Sequence, residues 1–206
     1  MTIDRSICVF CGSGSGNKQA YTDAAIDLGK ELAKKNWGLV YGGGTTGIMG
    51  AVAKSTKTSG GEVKGIIPRA LIEREQKCNT PDPELFGETV IVEDMHTRKR
   101  LMAQSSSAFV ALPGGYGTVE ELFEVVTWNQ LGIHSMPIVI FNVDGFYDGL
   151  TNWINQAVDS GFISTGNRKI IVEATSAAEV IEKIENYVVP EGRYNLNWDS
   201  EQPNKK

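Results

Sequence analysis

Seven short, largely apolar runs recur along the chain, most of them separated from the next by a longer segment with helical spacing. That alternation restricts the fold more than any other feature. The runs are Ile7 to Phe10, Gly38 to Tyr41, Val63 to Ile67, Val90 to Val92, Phe109 to Leu112, Ile138 to Phe141 and Ile170 to Val172. A strand with one face in water alternates apolar and polar residues, whereas continuous runs indicate strands covered on both faces. Between them, Lys18 to Lys35, Thr46 to Thr58, Asp94 to Ser107, Val119 to Leu131, Phe146 to Ser160 and Ala177 to Tyr187 read as helices. The pattern predicts an α/β fold: a doubly wound parallel sheet in three layers, with helices on both faces. A chain of 206 residues suffices for one well-buried domain.

Two stretches fall outside this rhythm. Glu73 to Phe86 carries Pro81 and Pro83 among charges and reads as a long loop that borders a ligand cleft. Pro190 closes the last helix, so the domain is expected to span 1–190, with a polar, Asn-rich tail over 191–206.

Charge and cysteine content narrow the function. A net charge of −5 and a pI near 5.2 argue against a nucleic-acid groove or an anionic membrane as partner and leave a small anionic ligand compatible. No apolar run reaches membrane-spanning length, and Met1 to Arg5 leads straight into a strand without the pattern of a secretory signal, so a cytoplasmic location is expected. Three cysteines make no disulfide framework. Cys8 and Cys11 have redox or zinc spacing, yet they sit in a strand where positions three apart point to opposite faces. Cys78, His96 and His134 complete no metal site, and no metal or cofactor is expected.

Glycines follow the first, second and fifth strands: Gly12 to Gly16, Gly42 to Gly47 with Gly43, Gly44 and Thr45 at its centre, and Gly114, Gly115 and Gly117. In a parallel sheet all three loops lie at the carboxyl edge, where open α/β folds bind ligands, so one cleft is implied. The first loop is an imperfect dinucleotide fingerprint, with Asn17 where a glycine is required and no acidic residue after Tyr41, and it carries little weight for NAD. The third is the most informative. Leu112-Pro113-Gly114-Gly115-Tyr116-Gly117-Thr118-Val119-Glu120-Glu121 joins a buried strand to a helix whose unpaired N–H groups and positive dipole end suit a phosphate. Glu120 and Glu121 are expected within the first turn beside that anion. Thr118 and Glu121 equally spell a capping box, a purely structural alternative.

The helix before the fifth strand supplies a counterpart. Met95, Arg98 and Met102 are spaced i, i+3 and i+7, which puts Arg98 in an otherwise apolar stripe, where a guanidinium needs an anionic partner. Helix and strand rises of about 13 Å each bring Arg98 level with Gly114. A structural salt bridge is the competing role.

The pairing of Met95-His96-Thr97-Arg98-Lys99 with Leu112 to Glu121 resembles the Lonely Guy family of cytokinin-activating enzymes. The likeness extends from Cys8-Val9-Phe10-Cys11-Gly12-Ser13 through Gly42 to Gly50 and on to Thr127-Trp128-Asn129-Gln130-Leu131-Gly132. It implies a Rossmann-like fold, a homodimer, and hydrolysis of the N-glycosidic bond of cytokinin riboside 5′-monophosphates to free base and ribose 5-phosphate. It also implies that Arg98 and Glu121 carry catalysis and that Lys99, Gly114, Gly115, Tyr116, Gly117, Thr118, Val119, Glu120 and Thr127 contact the nucleotide. Ala70 stands after Pro68-Arg69 where the compact plant-like pattern soon has an acidic contact, and that role does not transfer to Glu73, Glu75 or Glu84. An older label of lysine decarboxylase finds no lysine singled out for a Schiff base.

In the expected chemistry, Glu121 stabilises an oxocarbenium-like sugar and orients or deprotonates water, and Arg98 keeps that acid ionised. A non-catalytic nucleotide carrier and a hydrolase of plain AMP are the alternatives. The helix from Val119 has an apolar arc of Val119, Leu122, Phe123, Val125, Val126, Trp128 and Leu131, wider than one sheet contact needs, which also predicts a homodimer.

Overall fold

The computed structural model describes residues 3–75, 80–194, 196 and 198. Among them the chain forms seven strands: β1 (Arg5–Phe10), β2 (Trp37–Tyr41), β3 (Val63–Pro68), β4 (Glu88–Val92), β5 (Ala108–Ala111), β6 (Ile138–Phe141) and β7 (Ile171–Ala174). The longer helices are α1 (Gln19–Lys34), α2 (Gly47–Thr58), α5 (Met95–Gln104), α6 (Tyr116–Gln130), α7 (Asp148–Asp159) and α8 (Ala177–Glu185), with short α3 (Arg69–Glu75) and α4 (Pro83–Phe86) between β3 and β4.

All strand pairs are parallel, in the order β4-β3-β2-β1-β5-β6-β7. The chain winds outward from β1 to β4, returns to the centre at β5 and winds outward the other way. The reversal lies between β1 and β5, where loops leaving two adjacent carboxyl ends diverge and open a crevice. Gly12 N donates to Pro113 O at 3.0 Å across that point, holding the two loops together.

Alternating residues of β1 feed two cores. Ile7, Val9 and Cys11 pack under α1, α2 and α8, while Cys8 and Phe10 pack with Met102 of α5, Leu122 and Val125 of α6 and Ile154 of α7. Three layers and a single α/β domain result, as the apolar runs predict. Cys8 and Cys11 are buried free thiols on opposite faces of the sheet, so their spacing reflects strand packing. β4 departs from the expectation of two covered faces: it is an edge strand, and Ile91 is 38% exposed.

The segment expected to be one long loop is partly helical. α3 runs to Glu75, and α4 begins at Pro83 after Asp82, whose carboxylate accepts from Glu84 N at 3.0 Å. An Asp N-cap followed by Pro at the first helical position is a helix start, and here the prolines obscured it. Cys78 lies outside the described residues.

The described part of the stretch after Pro190 is bonded to the end of α6. Tyr194 N donates to Gln130 O at 2.8 Å, Trp198 Nε1 to Leu131 O at 3.0 Å, and Arg193 Nη1 to His134 O at 2.8 Å. The first two satisfy carbonyls that a helix end leaves without intrahelical partners.

Candidate active site

The crevice between the β1 and β5 loops contains a cleft of about 300 Å³ lined by Gly12, Ser13, Gly42, Met49, Met95, Arg98, Gly115 to Thr118, Glu120 and Glu121, with Val9 and Cys11 at its floor. Residues from four segments of the chain therefore meet at the carboxyl edge, as the three glycine loops imply.

α6 sets one wall. It begins at Tyr116, three residues earlier than the sequence suggests, with Gly115 as N-cap and no side-chain cap. The early start has two consequences. Thr118 and Glu121 do not form a capping box, and Glu120 and Glu121 fall in the second turn, not the first. Gly114 lacks a side chain for a packing reason: a Cβ there would collide with the Thr118 hydroxyl and stand 2.8 Å from Gly12 N. The hydroxyl of Tyr147, a residue 2% exposed, donates to Leu112 O at 2.7 Å just before the turn. The first N–H groups of α6 are left facing the cleft, which is where an anion is stabilised.

Arg98, on α5, is buried opposite. Its Nη1 lies 3.3 Å from Glu121 Oε1, both side chains under 10% exposed. Its Nε donates to Ile66 O at 3.1 Å and its Nη2 to Gly42 O at 3.4 Å, so the carbonyl ends of β3 and β2 fix the guanidinium plane. The apolar stripe around it is only half right: Met102 is buried, but Met95 is 42% exposed and lines the cleft. α5 itself is held at its start by Asp94, whose carboxylate accepts from Thr97 N at 2.8 Å.

Burial pushes the Glu121 carboxyl above the ordinary value of 4.5, with Glu120 and Glu124 adding to the rise, and Arg98 and Lys99 oppose it without cancelling it. Arg98 thus favours the charged form of the acid, as the sequence suggests, but burial outweighs it. The resulting group is a carboxyl poised nearer neutrality than a surface glutamate, the kind of tuning that acid–base work requires. Cys11, beside it, is pushed up strongly by burial and by Glu121 and stays a thiol.

Lys99 lies at the rim. Its Nζ is 2.5 Å from Glu120 Oε1 and 3.0 Å from Glu124 Oε1. Burial works against its charge, but the two carboxylates outweigh that and raise the ammonium above an ordinary lysine. Val119 is half-buried just behind the helix start. Gly43, Gly44 and Thr45 are not lining residues; Gly43 turns at φ +78° against Ile67. Thr127 donates to Phe123 O at 2.8 Å on the exposed side of α6, about 13 Å along the axis from Thr118, and does not reach this cleft. Sequence reasoning missed Met49, Cys11, Glu124 and Tyr147. Glu124 was visible as the residue one turn beyond Glu120, whereas nothing local marks Tyr147, which acts across the fold.

Among the described residues no group of three His, Cys, Asp or Glu side chains is placed to hold a metal, and no helix is long and apolar enough to cross a membrane.

Comparison with known proteins identifies the family. The family model described as "possible lysine decarboxylase" matches residues 49–184. The chain is 51% identical over 199 residues to the cytokinin riboside 5′-monophosphate phosphoribohydrolase LOG3 of Arabidopsis thaliana, covering 96% of this chain and 90% of that protein. It is 50% identical over 199 residues to the enzyme of the same name, LOG, of Oryza sativa subsp. japonica, covering 97% and 80%. The molybdenum cofactor carrier protein of Chlamydomonas reinhardtii shares the fold, with a TM-score of 0.65 at 21% identity over 88% of this chain and 96% of that one. The chain belongs to the Lonely Guy family, which the older lysine decarboxylase description also covers.

Proposed function

We propose that this protein hydrolyses the N-glycosidic bond of cytokinin riboside 5′-monophosphates, releasing the free base and ribose 5-phosphate. The observation that carries the reading is the buried Arg98–Glu121 pair, 3.3 Å apart, on the wall of a cleft that also contains the glycine turn and the start of α6. Half-identity to relatives named for this activity supports it. A carrier needs the turn but has no need of a buried acid aimed at its ligand.

In the proposed reaction the 5′-phosphate binds the N–H groups at Gly115 to Thr118. Anchoring that remote group holds the ribose against Glu121. As the bond from C1′ to the base breaks, positive charge develops on the sugar, and the Glu121 carboxylate stabilises it and takes a proton from the incoming water. A bond forms between C1′ and the water oxygen, and the departing base nitrogen takes a proton from solvent as Glu121 returns the water's proton to solvent, so that one water is consumed and the carboxylate is regenerated. Arg98 orients Glu121 through contacts with two strand ends. Lys99, Glu120 and the α6 residues Gly115 to Val119 are assigned to nucleotide contact, and Gly114 to shaping the turn. Gly43, Gly44 and Thr45 are assigned the same contact role on the position of their glycine loop at the sheet edge, and Thr127 on the resemblance alone.

Three finer points belong to the same proposal. The protein acts in the cytoplasm. Residues 191–206 form an accessory tail to the catalytic domain. It works as a homodimer, since α6 leaves Phe123 half-buried against Trp153, which is 52% exposed. Light scattering at micromolar concentration should return about twice the 22.4 kDa chain mass; a monomer contradicts the dimer. Incubation with AMP and with isopentenyladenosine monophosphate, followed by chromatography, tests the activity: free base from the second substrate is expected, release from AMP alone makes it a recycling enzyme, and none from either makes it a binding protein.

A further inference from the structure

The ammonium of Lys99 is separated from the cleft by a carboxylate. Its side chain is 12% exposed and sits between Glu120 and Glu124, at 2.5 and 3.0 Å. The two acids are not equivalent. Glu120 lines the cleft and its side chain is 53% exposed, whereas Glu124, one turn further along α6, is 24% exposed and is not a lining residue. The loosely held acid faces the cleft, and the sheltered one stands behind. One ammonium and two carboxylates carry a net negative charge, and Glu120, the nearer acid, lies about one helical turn, roughly 6 Å, from the start of α6. That sign opposes entry of an anion unless one carboxylate leaves.

We propose that Glu120 is an anionic placeholder on Lys99 that the phosphate monoester of the substrate displaces, and that Glu124 is a positioning residue that keeps Lys99 in place during the exchange. The inference rests on the phosphoribohydrolase reading only in taking a 5′-monophosphate as the ligand. The exchange is favoured because a phosphate monoester brings about −1.5 to −2 charge against the single charge of Glu120. Releasing Glu120 costs little, since its own carboxylate is half exposed and regains water as it leaves, while Glu124 stays on Lys99. An uncharged riboside offers Lys99 nothing and leaves Glu120 where it is. The triad thus adds discrimination to the affinity supplied by the helix start.

Titration calorimetry with ribose 5-phosphate on the wild-type protein, Glu120→Gln and Glu124→Gln tests this. Glu120→Gln is expected to tighten binding about two- to fivefold, the change an exposed ion pair corresponds to, and Glu124→Gln to weaken it by at least as much. Glu124→Asp, which keeps the charge, should recover part of the loss. Opposite signs are the signature, because two merely structural ion pairs would shift binding the same way or not at all. Same-sign shifts, no shift, or a wild-type protein that binds no ribose 5-phosphate overturn the proposal. Base release measured alongside keeps the two readings apart. Release with same-sign shifts removes the placeholder and leaves the hydrolase; opposite signs without release do the reverse.

Discussion

The guanidinium of Arg98 occupies the space that a side chain at Gly42 would fill. A Cβ at Gly42 would collide with Arg98 Nη2, the nitrogen that donates to the carbonyl of the same glycine at 3.4 Å. The glycine that follows β2 therefore helps to position the buried Arg98–Glu121 pair, although it reaches Glu121 only through Arg98.

Gly42→Ala follows from that relationship. Gly42 does not have a positive φ, so alanine brings no backbone strain, and its effect falls chiefly on the guanidinium, with a lesser crowding of Met49 Sδ at 3.1 Å. Base release should drop about tenfold or more, since small displacements of positioning groups carry costs of that size. A melting curve should show a fold largely retained. Wild-type turnover in this variant would mean that Arg98 can shift without consequence.

The raised pKa of Glu121 makes two pH predictions. As the carboxylate is the active form, kcat/KM should fall on the acid side with a limb above the ordinary 4.5. The substrate phosphate titrates near pH 6 and adds its own limb, so a carbon NMR titration of the Glu121 carboxyl separates the two. For stability the sign is fixed by linkage: the folded value is raised, so the protonated acid favours the folded state below about pH 4.5, and that contribution is lost as pH rises through the folded value. The stability of the wild type relative to Glu121→Gln should decline with rising pH across that window. A carboxyl that titrates at or below 4.5 contradicts both.

The resting geometry at the start of α6 predicts a strong preference for charge on the substrate. Charge-assisted hydrogen bonds contribute roughly 1.5 to 3 kcal/mol each, so losing two should lower efficiency on the order of a hundredfold or more. Turnover efficiency on the riboside and the 5′-monophosphate of one base measures this directly, and equal values would mean the glycine turn holds no phosphate.

Much of this architecture was legible before any coordinates. Strands such as Ile138–Phe141 stand out because burial on both faces leaves no polar interruption, and the topology places their glycine loops at one edge. Arg98 with Glu121 was legible because a cation in an apolar stripe needs an anionic partner and the helix and strand rises bring it level with the glycine turn that precedes the acid. The boundary of α6 was not, since Gly115-Tyr116-Gly117 reads as loop while its backbone is already helical by Tyr116. The grip of Tyr147 on Leu112, 35 residues apart in sequence, depends on chain winding that no local pattern encodes.

The proposed hydrolysis depends most directly on Glu121. Glu121→Gln retains an oxygen that can accept from Arg98 but removes the carboxylate, so the protein should fold, bind the nucleotide and release no base. The decisive measurement is chromatographic quantification of free base from isopentenyladenosine monophosphate by the wild type and by Glu121→Gln under identical conditions. Release by the wild type and its loss, by about a thousandfold or more, in the variant is the predicted result. Release by Glu121→Gln near the wild-type rate would contradict the assignment and leave the buried pair a structural one.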